Sequence, residues 1–386
     1  MIEHKQNVKK ICIITSSYPQ GKDERATSKD FALLLKNKNY EVFVIAPKRY
    51  NKVSNDKEIK VKYISWPGSS ELPLSAHNPK NPLHLIKLFG MIFSGVFVAL
   101  RFLKKNEIDY CFALWAVPSG IFAYIGKIFL GIPYSSWTLG SDIWKIGDYP
   151  LGRKILKIVL KNSEKIYSDG FELAEQTSNI AEKKCAFLAS NRLFDQEIID
   201  IPYKKFDFTK KNFIFVGRYH KNKGVDLLVN AISLLTEEEK TKSLFHIFGM
   251  TGPEENNIKK LVIKLGLTDI IFINNAIPGE HVFSYMKKAD YVVIPSRVES
   301  IPVVFSNAIQ SSKPLIVTDV GDMGMLVNKY HVGFVCKPNS KSIKIRLSDA
   351  ISKNIHDEEY AKGQNDLIQL LDLEKSVKIF IKDLPK

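Results

Sequence analysis

The segment Val216–Gly224, VGRYHKNKG, sets two cations among glycines directly behind an apolar run. Arg218 and Lys223 can converge on an anionic group beyond a strand end, while Gly217 and Gly224 allow a turn and a close backbone approach. A diphosphate suits such a pair; a charged surface turn is the plain alternative. Further on, Asp290–Gly321 reads DYVVIPSRVESIPVVFSNAIQSSKPLIVTDVG. Here Glu299 falls in a loop after an apolar run, Pro302 in the first turn of the next helix, and the backbone donors of Val303 and Val304 where an anion can sit. Glu299 reads equally as an ordinary loop or capping carboxylate. Asn307 lies on the same helix.

FGMTGPE, Phe248–Glu254, contributes Gly249 after another strand, but its glycines lack the spacing of a dinucleotide fingerprint. There is no GKS or GKT triplet, no HExxH and no GxSxG. Conventional ATP-hydrolysing loops, zinc hydrolases and serine hydrolases lose ground accordingly. In the first half, GSDIW places Gly140 and Asp142 after the strand IPYSSWTL, where the aspartate either orients a hydroxyl or caps the next helix. The Ser16–Arg25 loop, with Tyr18 and Gly21, occupies a comparable place after the first strand.

Positioning these residues requires strands that end in loops, and the sequence alternates accordingly. VKKICIITSS, YEVFVIAP, VKYISWP, IDYCFALW and IPYSSWTLG are short β-branched or aromatic runs separated by helical stretches, including Pro82–Asn106. A polar region around Ser190–Lys211 interrupts them, and a second series runs from NFIFVGR to GFVCKP. Both series imply mostly parallel sheets covered by helices. The expected fold is α/β, two Rossmann-like doubly wound domains facing a central cleft. The expected divisions are 1–204, 205–365 and a helical tail, 366–386, free to return to the first domain.

Composition limits the classes further. With 386 residues and a hydrophobic fraction of 45%, two cores are affordable and disorder is a poor reading. Cys12, Cys111, Cys185 and Cys336 lie too far apart for a zinc cluster or disulfide framework, which fits a reducing compartment. The N-terminus lacks the pattern of a secretory signal. The longest apolar stretch, Leu88–Leu100, is shorter than the roughly twenty residues of a spanning helix. Net charge is +15, compatible with nucleic acid, anionic lipid or phosphorylated small molecules. No nucleic-acid motif accompanies it. The basic, apolar stretch Lys80–Lys105 either covers the first sheet or lies against an anionic membrane.

WAVPSG, GSDIW, VGRYHKNKG, FGMTGPE and PSRVESIPVVFSNA, in that order over roughly residues 8–345, resemble glycosyltransferase family 4, the retaining enzymes of GT-B fold. The resemblance implies that Arg218 and Lys223 grip a donor diphosphate, helped by donors near Val303, and that Glu299 contacts hydroxyls of the transferred sugar. Gly217, Gly249, Pro302, Val304 and Asn307 then line the donor, Tyr18, Gly21, Trp115 and Gly140 face acceptor or cleft, and Asp142 joins Arg218, Lys223 and Glu299 in the catalytic set by positioning the sugar or acceptor. It implies no metal and no cofactor. Two positions depart from the pattern: the second glutamate of the family's pair is Asn307, and the histidine before the cleft glycine is Leu139. The implied activity is transfer from a UDP-, GDP- or ADP-linked sugar to a lipid-linked or growing glycan in surface-polysaccharide synthesis, at the cytoplasmic face of the membrane. The alternative is a catalytically inactive subunit that binds nucleotide sugar or glycan.

Overall fold

The computed structural model describes residues 8–20, 26–49, 56–66, 81–190, 198–250, 252–353 and 358–385, without the side chains of His84 and Leu85. Contacts divide the chain into two compact units, Met1–Ser190 with Leu373–Lys386, and Asn191–Asp372.

The first unit is built as β1 (Lys10–Thr15), α1 (Thr27–Lys36), β2 (Glu41–Pro47), β3 (Lys60–Ile64), α2 (Pro82–Lys105), β4 (Tyr110–Leu114), α3 (Ser119–Leu130), β5 (Tyr134–Thr138), α4 (Pro150–Lys161), β6 (Ile166–Ser168), α5 (Phe171–Ala181) and β7 (Cys185–Phe187). The strands pair in parallel in the order β3-β2-β1-β4-β5-β6-β7. Central strands such as YCFAL are buried along their whole length because helices cover both faces. On one face α2, α3 and α4 pack Met91, Leu103, Phe122 and Leu156 onto Ile14 and Phe43. On the other, Phe31 and Leu35 of α1 meet Ile13 and Phe112.

The helix expected at Pro82–Asn106 is α2, opened by Asn81, whose side chain accepts from the Leu83 N–H at 3.0 Å, and by Pro82 in the first turn. Its apolar character is longer than Leu88–Leu100. The helix carries it past Arg101, so Ile86–Lys105, with mean hydropathy 1.9, is long and apolar enough by length and composition to cross a membrane. That corrects the thirteen-residue limit.

The second unit runs β8 (Lys211–Arg218), α6 (Val225–Ser233), α7 (Glu237–Thr241), β9 (Ser243–Met250), α8 (Glu255–Lys264), β10 (Ile271–Asn274), α9 (Val282–Lys288), β11 (Tyr291–Ile294), α10 (Val303–Gln310), β12 (Leu315–Thr318), α11 (Met323–Tyr330), β13 (Gly333–Cys336), α12 (Ser340–Ser352) and α13 (Glu358–Leu370). Its parallel order is β10-β9-β8-β11-β12-β13. The strand order reverses between β8 and β11, the place where loops diverge and ligands enter such sheets.

The units part earlier than residue 204. The Ile199 N–H donates to Ser284 Oγ at 2.9 Å, and the Tyr203 hydroxyl meets His246 Nδ1 at 2.8 Å, so this segment packs on the second unit. The tail divides as well. Gln364 of α13 donates to the Ile309 carbonyl at 2.9 Å, whereas α14 (Leu373–Lys382) returns to the first unit, its Phe380 ring 4.4 Å from that of Phe112.

Candidate active site

β8 delivers Val216 and Gly217 to the edge of the second sheet, leaving Arg218 exposed at the strand end. The chain then turns through Lys221–Lys223 into Gly224, whose φ of 68° is left-handed and whose Cβ position would collide with the Pro295 carbonyl. Glycine is required there on both grounds. The close approach places the loop after β8 against the loop after β11, and Lys223 and Glu299, 76 residues apart, form an ion pair. Two residues that the sequence proposed separately are thus one cluster at the switch point.

Arg297, which sequence reasoning passed over, ties the two loops. Its backbone N–H donates to the Asn222 carbonyl at 2.7 Å. Its guanidinium donates to the Lys221 carbonyl and to both carboxylate oxygens of Asp226, each at 2.7 Å. Partial burial works against ionisation of Asp226, but the Arg297 fork outweighs it and holds the carboxyl below its usual range. The signal was an Arg two residues before Glu299 and an Asp two after Gly224. Gly321, at φ 53°, closes the other side, its Cβ position blocked by the Glu299 carbonyl.

Pro302 takes the N-cap of α10, one position before the first turn expected for it, because its ψ of 149° is extended. Val303 and Val304 then provide the first N–H groups of the helix, which have no partner within it. On this helix Asn307 Oδ1 is buried without a hydrogen-bond partner, and the loop before it holds Ser296 Oγ and Ser300 Oγ in the same condition. The loops after β8 and β11 thus carry cations, a carboxylate and the first N–H groups of α10, groups suited to a polyanion carrying hydroxyls. Gly249 serves packing: its missing Cβ leaves room for the Tyr219 ring, whose hydroxyl donates to the Asn274 carbonyl at 2.8 Å.

In the first unit Asp142 joins the loops that carry Trp115 and Gly140, without an ion pair like that of Lys223 and Glu299 among the described candidates. Asp142 begins a π-helical turn, Asp142–Ile146, and is buried. It accepts from the Ala116 N–H at 2.7 Å and from the Leu139 N–H at 3.3 Å, so it fastens the loops after β4 and β5. Desolvation pushes its pKa up to about 6 against those bonds. Gly140 has φ 93° and lies under the Trp144 ring. Trp115 has φ 67° and donates its N–H to the Trp137 carbonyl at 2.8 Å. Tyr18 is buried, its hydroxyl donating to Asp56 at 2.9 Å, and Asp56 also pairs with Lys29 at 3.1 Å. Gly21 lies outside the described residues.

Residues 198–370 match the family described as glycosyl transferases group 1. An uncharacterized glycosyltransferase of Methanocaldococcus jannaschii is 26% identical over 320 residues, 82% of this chain and 86% of its own. The crystal structure of WaaG, a glycosyltransferase involved in lipopolysaccharide biosynthesis, superposes with a TM-score of 0.67 over 97% of this chain and 99% of that one, at 14% identity. An E. coli structure described as trehalose-6-phosphate bound with UDP-2-fluoro glucose gives 0.74 over 97% and 99%, at 10% identity. The fold is that of GT-B proteins.

Proposed function

We propose that this GT-B chain, whose family match and relatives support a glycosyltransferase, is a retaining, metal-independent member of family 4 that transfers a hexose-type sugar. The donor is a UDP-, GDP- or ADP-linked sugar; the acceptor is a lipid-linked or growing glycan of surface-polysaccharide synthesis, lipopolysaccharide or capsule. The reaction takes place at the cytoplasmic face of the membrane, with peripheral contact to anionic lipid and no nucleic-acid partner. The observation that carries the reading is the Lys223–Glu299 pair at the reversal of strand order, with Arg218 exposed at the end of β8 and α10 following Glu299 in the chain. UDP-2-fluoro glucose in one structural neighbour and the lipopolysaccharide role of another support the donor and the pathway.

In this reading the donor diphosphate takes Lys223 away from Glu299. The bond between the sugar's anomeric carbon and the phosphate oxygen breaks, and the electron pair leaves with the diphosphate. Lys223, Arg218 and the first N–H groups of α10 stabilise that developing charge. The acceptor oxygen bonds the anomeric carbon on the same face, and its proton passes to the departing phosphate oxygen. Glu299, freed of its partner, takes sugar hydroxyls. Asp142, buried and bonded to the Ala116 and Leu139 N–H groups, is given the task of positioning the loops of the first unit.

The second reading, an inactive binding subunit, is favoured by Leu139, whose side chain packs against the apolar core on the α1 face, and by the uncharged Asn307. Mass spectrometry of the purified protein with a panel of nucleotide sugars and glycan or lipid-linked acceptors separates the two. A product heavier by one sugar is expected, with Lys223→Ala, Arg218→Ala and Glu299→Ala each lowering kcat/KM by about 100-fold or more. Saturable donor binding without product selects the binding subunit; neither binding nor product overturns both readings.

A further inference from the structure

The helices on the two faces of the first sheet differ in charge. α2, α3, α4 and α5 share one face; the charged residues of α2, α3 and α4 are lysine and arginine alone, and the glutamates of this face's helices, Glu172 and Glu175, are confined to α5. On the opposite face α1 carries Asp30 and α14 carries Glu374. Lys127, Lys157 and Lys161 pair with Glu164 and Glu182, which lie outside these helices. Arg101, Lys104 and Lys105 have no ion-pair partner among the described residues, and Arg153 and Lys154 have none either.

α2 is apolar on two sides. One line, Met91, Ala99 and Leu103, is buried on the sheet, with Gly95 against the Phe122 ring and Leu103 against Gly126 of α3. The other line, Ile86, Phe89, Phe93 and Phe97, is 61–69% exposed, although aromatic rings of this size are normally core residues. Phe93 and Phe97 pack edge to face at 5.0 Å, forming a ridge at successive helical turns. The ridge leads straight into exposed Arg101, Lys104 and Lys105. On α3, Phe129 is also exposed, and on α4 so is Leu151. An exposed apolar ridge that runs into cations without ion-pair partners is the signature of an element lying in a lipid interface, rings among the acyl chains and cations on headgroup phosphates.

We propose that the α2–α4 face is the surface by which this protein lies on an anionic bilayer. α2 lies in the plane of the interface, since withdrawing Met91, Ala99 and Leu103 to span the membrane would empty the core beneath. A second copy is the poorer occupant: a twofold contact through this face would set its unpaired cations against their own kind. The inference deepens the membrane contact of the reading above but stands on this face alone, so vesicle binding and sugar transfer fail separately.

The test is co-sedimentation of the full chain with vesicles of phosphatidylcholine, alone or mixed with phosphatidylglycerol, at low and high salt. Binding to the mixed vesicles is expected, weakened by salt without being abolished, with little binding to phosphatidylcholine. Arg101→Glu, Lys104→Glu and Lys105→Glu together should lower partitioning by about 100-fold or more. Phe89→Ser, Phe93→Ser and Phe97→Ser together should remove the salt-resistant part, while circular dichroism stays that of the parent because these rings face outward. No binding to mixed vesicles overturns the proposal, as does binding indifferent to both triple variants. A concentration-dependent dimer lost in the phenylalanine variant, without vesicle binding, assigns the face to a second copy and overturns it equally.

Discussion

Replacing Arg297 with alanine tests whether the two loops of the second unit are held in register by one guanidinium. The change deletes three hydrogen bonds of 2.7 Å, two to Asp226 and one to the Lys221 carbonyl. Charge-assisted bonds are worth about 1.5–3 kcal/mol each when buried. Arg297 and Asp226 keep 26% and 35% of their side-chain surface exposed, so water recovers most of that. A net loss of about 2 kcal/mol in the second unit follows. The effect on transfer should be larger, because Lys223 sits between Lys221 and Gly224 on the released loop, and a displacement of about 1 Å in a positioning element costs about 100-fold. Urea denaturation followed by circular dichroism gives the first quantity, and kcat/KM for sugar transfer gives the second. Arg297→Lys should recover part of the stability but little of the rate, since an ammonium cannot reproduce the fork. A cycle with Asp226→Asn should show coupling of about 1–2 kcal/mol. If Arg297→Ala loses stability yet transfers sugar at the parental kcat/KM, the residue is structural only and the positioning argument is wrong.

Two further outcomes follow from packing and protonation. His246 is fully buried, receives the Tyr203 hydroxyl at Nδ1 and meets Asn212 Oδ1 at 3.0 Å, and burial lowers its pKa to about 4. The unfolded chain binds that proton first, so its stabilising share is whole above pH 6.5 and declines as pH falls toward 4, by about 2 kcal/mol at pH 5. Hydrogen exchange of β9 amides should follow this decline, and His246→Gln should flatten it; an identical slope in the variant refutes the assignment. Phe380→Ala should cost the first unit about 3–5 kcal/mol, because the ring is buried against Phe112 and Phe31. All four tryptophans lie in Met1–Ser190, so their fluorescence reports that unit alone, and an unchanged denaturation midpoint would show that α14 does not hold it.

Strands flanked by turn residues were readable from the chain. IDYCFALW, SLFHIFGM and PLIVTD each became a buried strand because a parallel sheet covered on both faces asks for unbroken apolar runs. Ile166–Ser168 and Cys185–Phe187 escaped because three residues carry no period. α12 escaped for a different reason: Ile343, Leu347 and Ala350 recur at helical spacing, but within so polar a sequence that the apolar stripe is only three residues deep. In the site, residue types were legible and their meeting was not. Lys223 and Glu299 touch because β8 and β11 are neighbours, and strand order is decided by the whole sheet. The carboxylate of Asp142 stood out for its place at a strand end; that its oxygens take the Ala116 and Leu139 N–H groups depends on a loop brought from β4.

The two departures from the family pattern fall on different parts of the proposed chemistry. Leu139 belongs to the first unit, where its N–H is fixed by Asp142 and its side chain joins the core on the α1 face. The groups assigned to the leaving diphosphate all lie in the second unit and are held there by Arg297, Gly224 and Gly321. In the proposed chemistry the Leu139 side chain offers no hydrogen bond, and the charge stabilisation assigned to the second unit does not call on it. Asn307 sits among the second-unit groups, and its buried oxygen remains an acceptor. An amide accepts a ribose hydroxyl more weakly than a carboxylate does. Relative to a glutamate at that position, Asn307 should therefore raise the donor's KM more than it lowers kcat, a split that Asn307→Glu would reverse if the residue contacts the donor in the ground state and transition state alike.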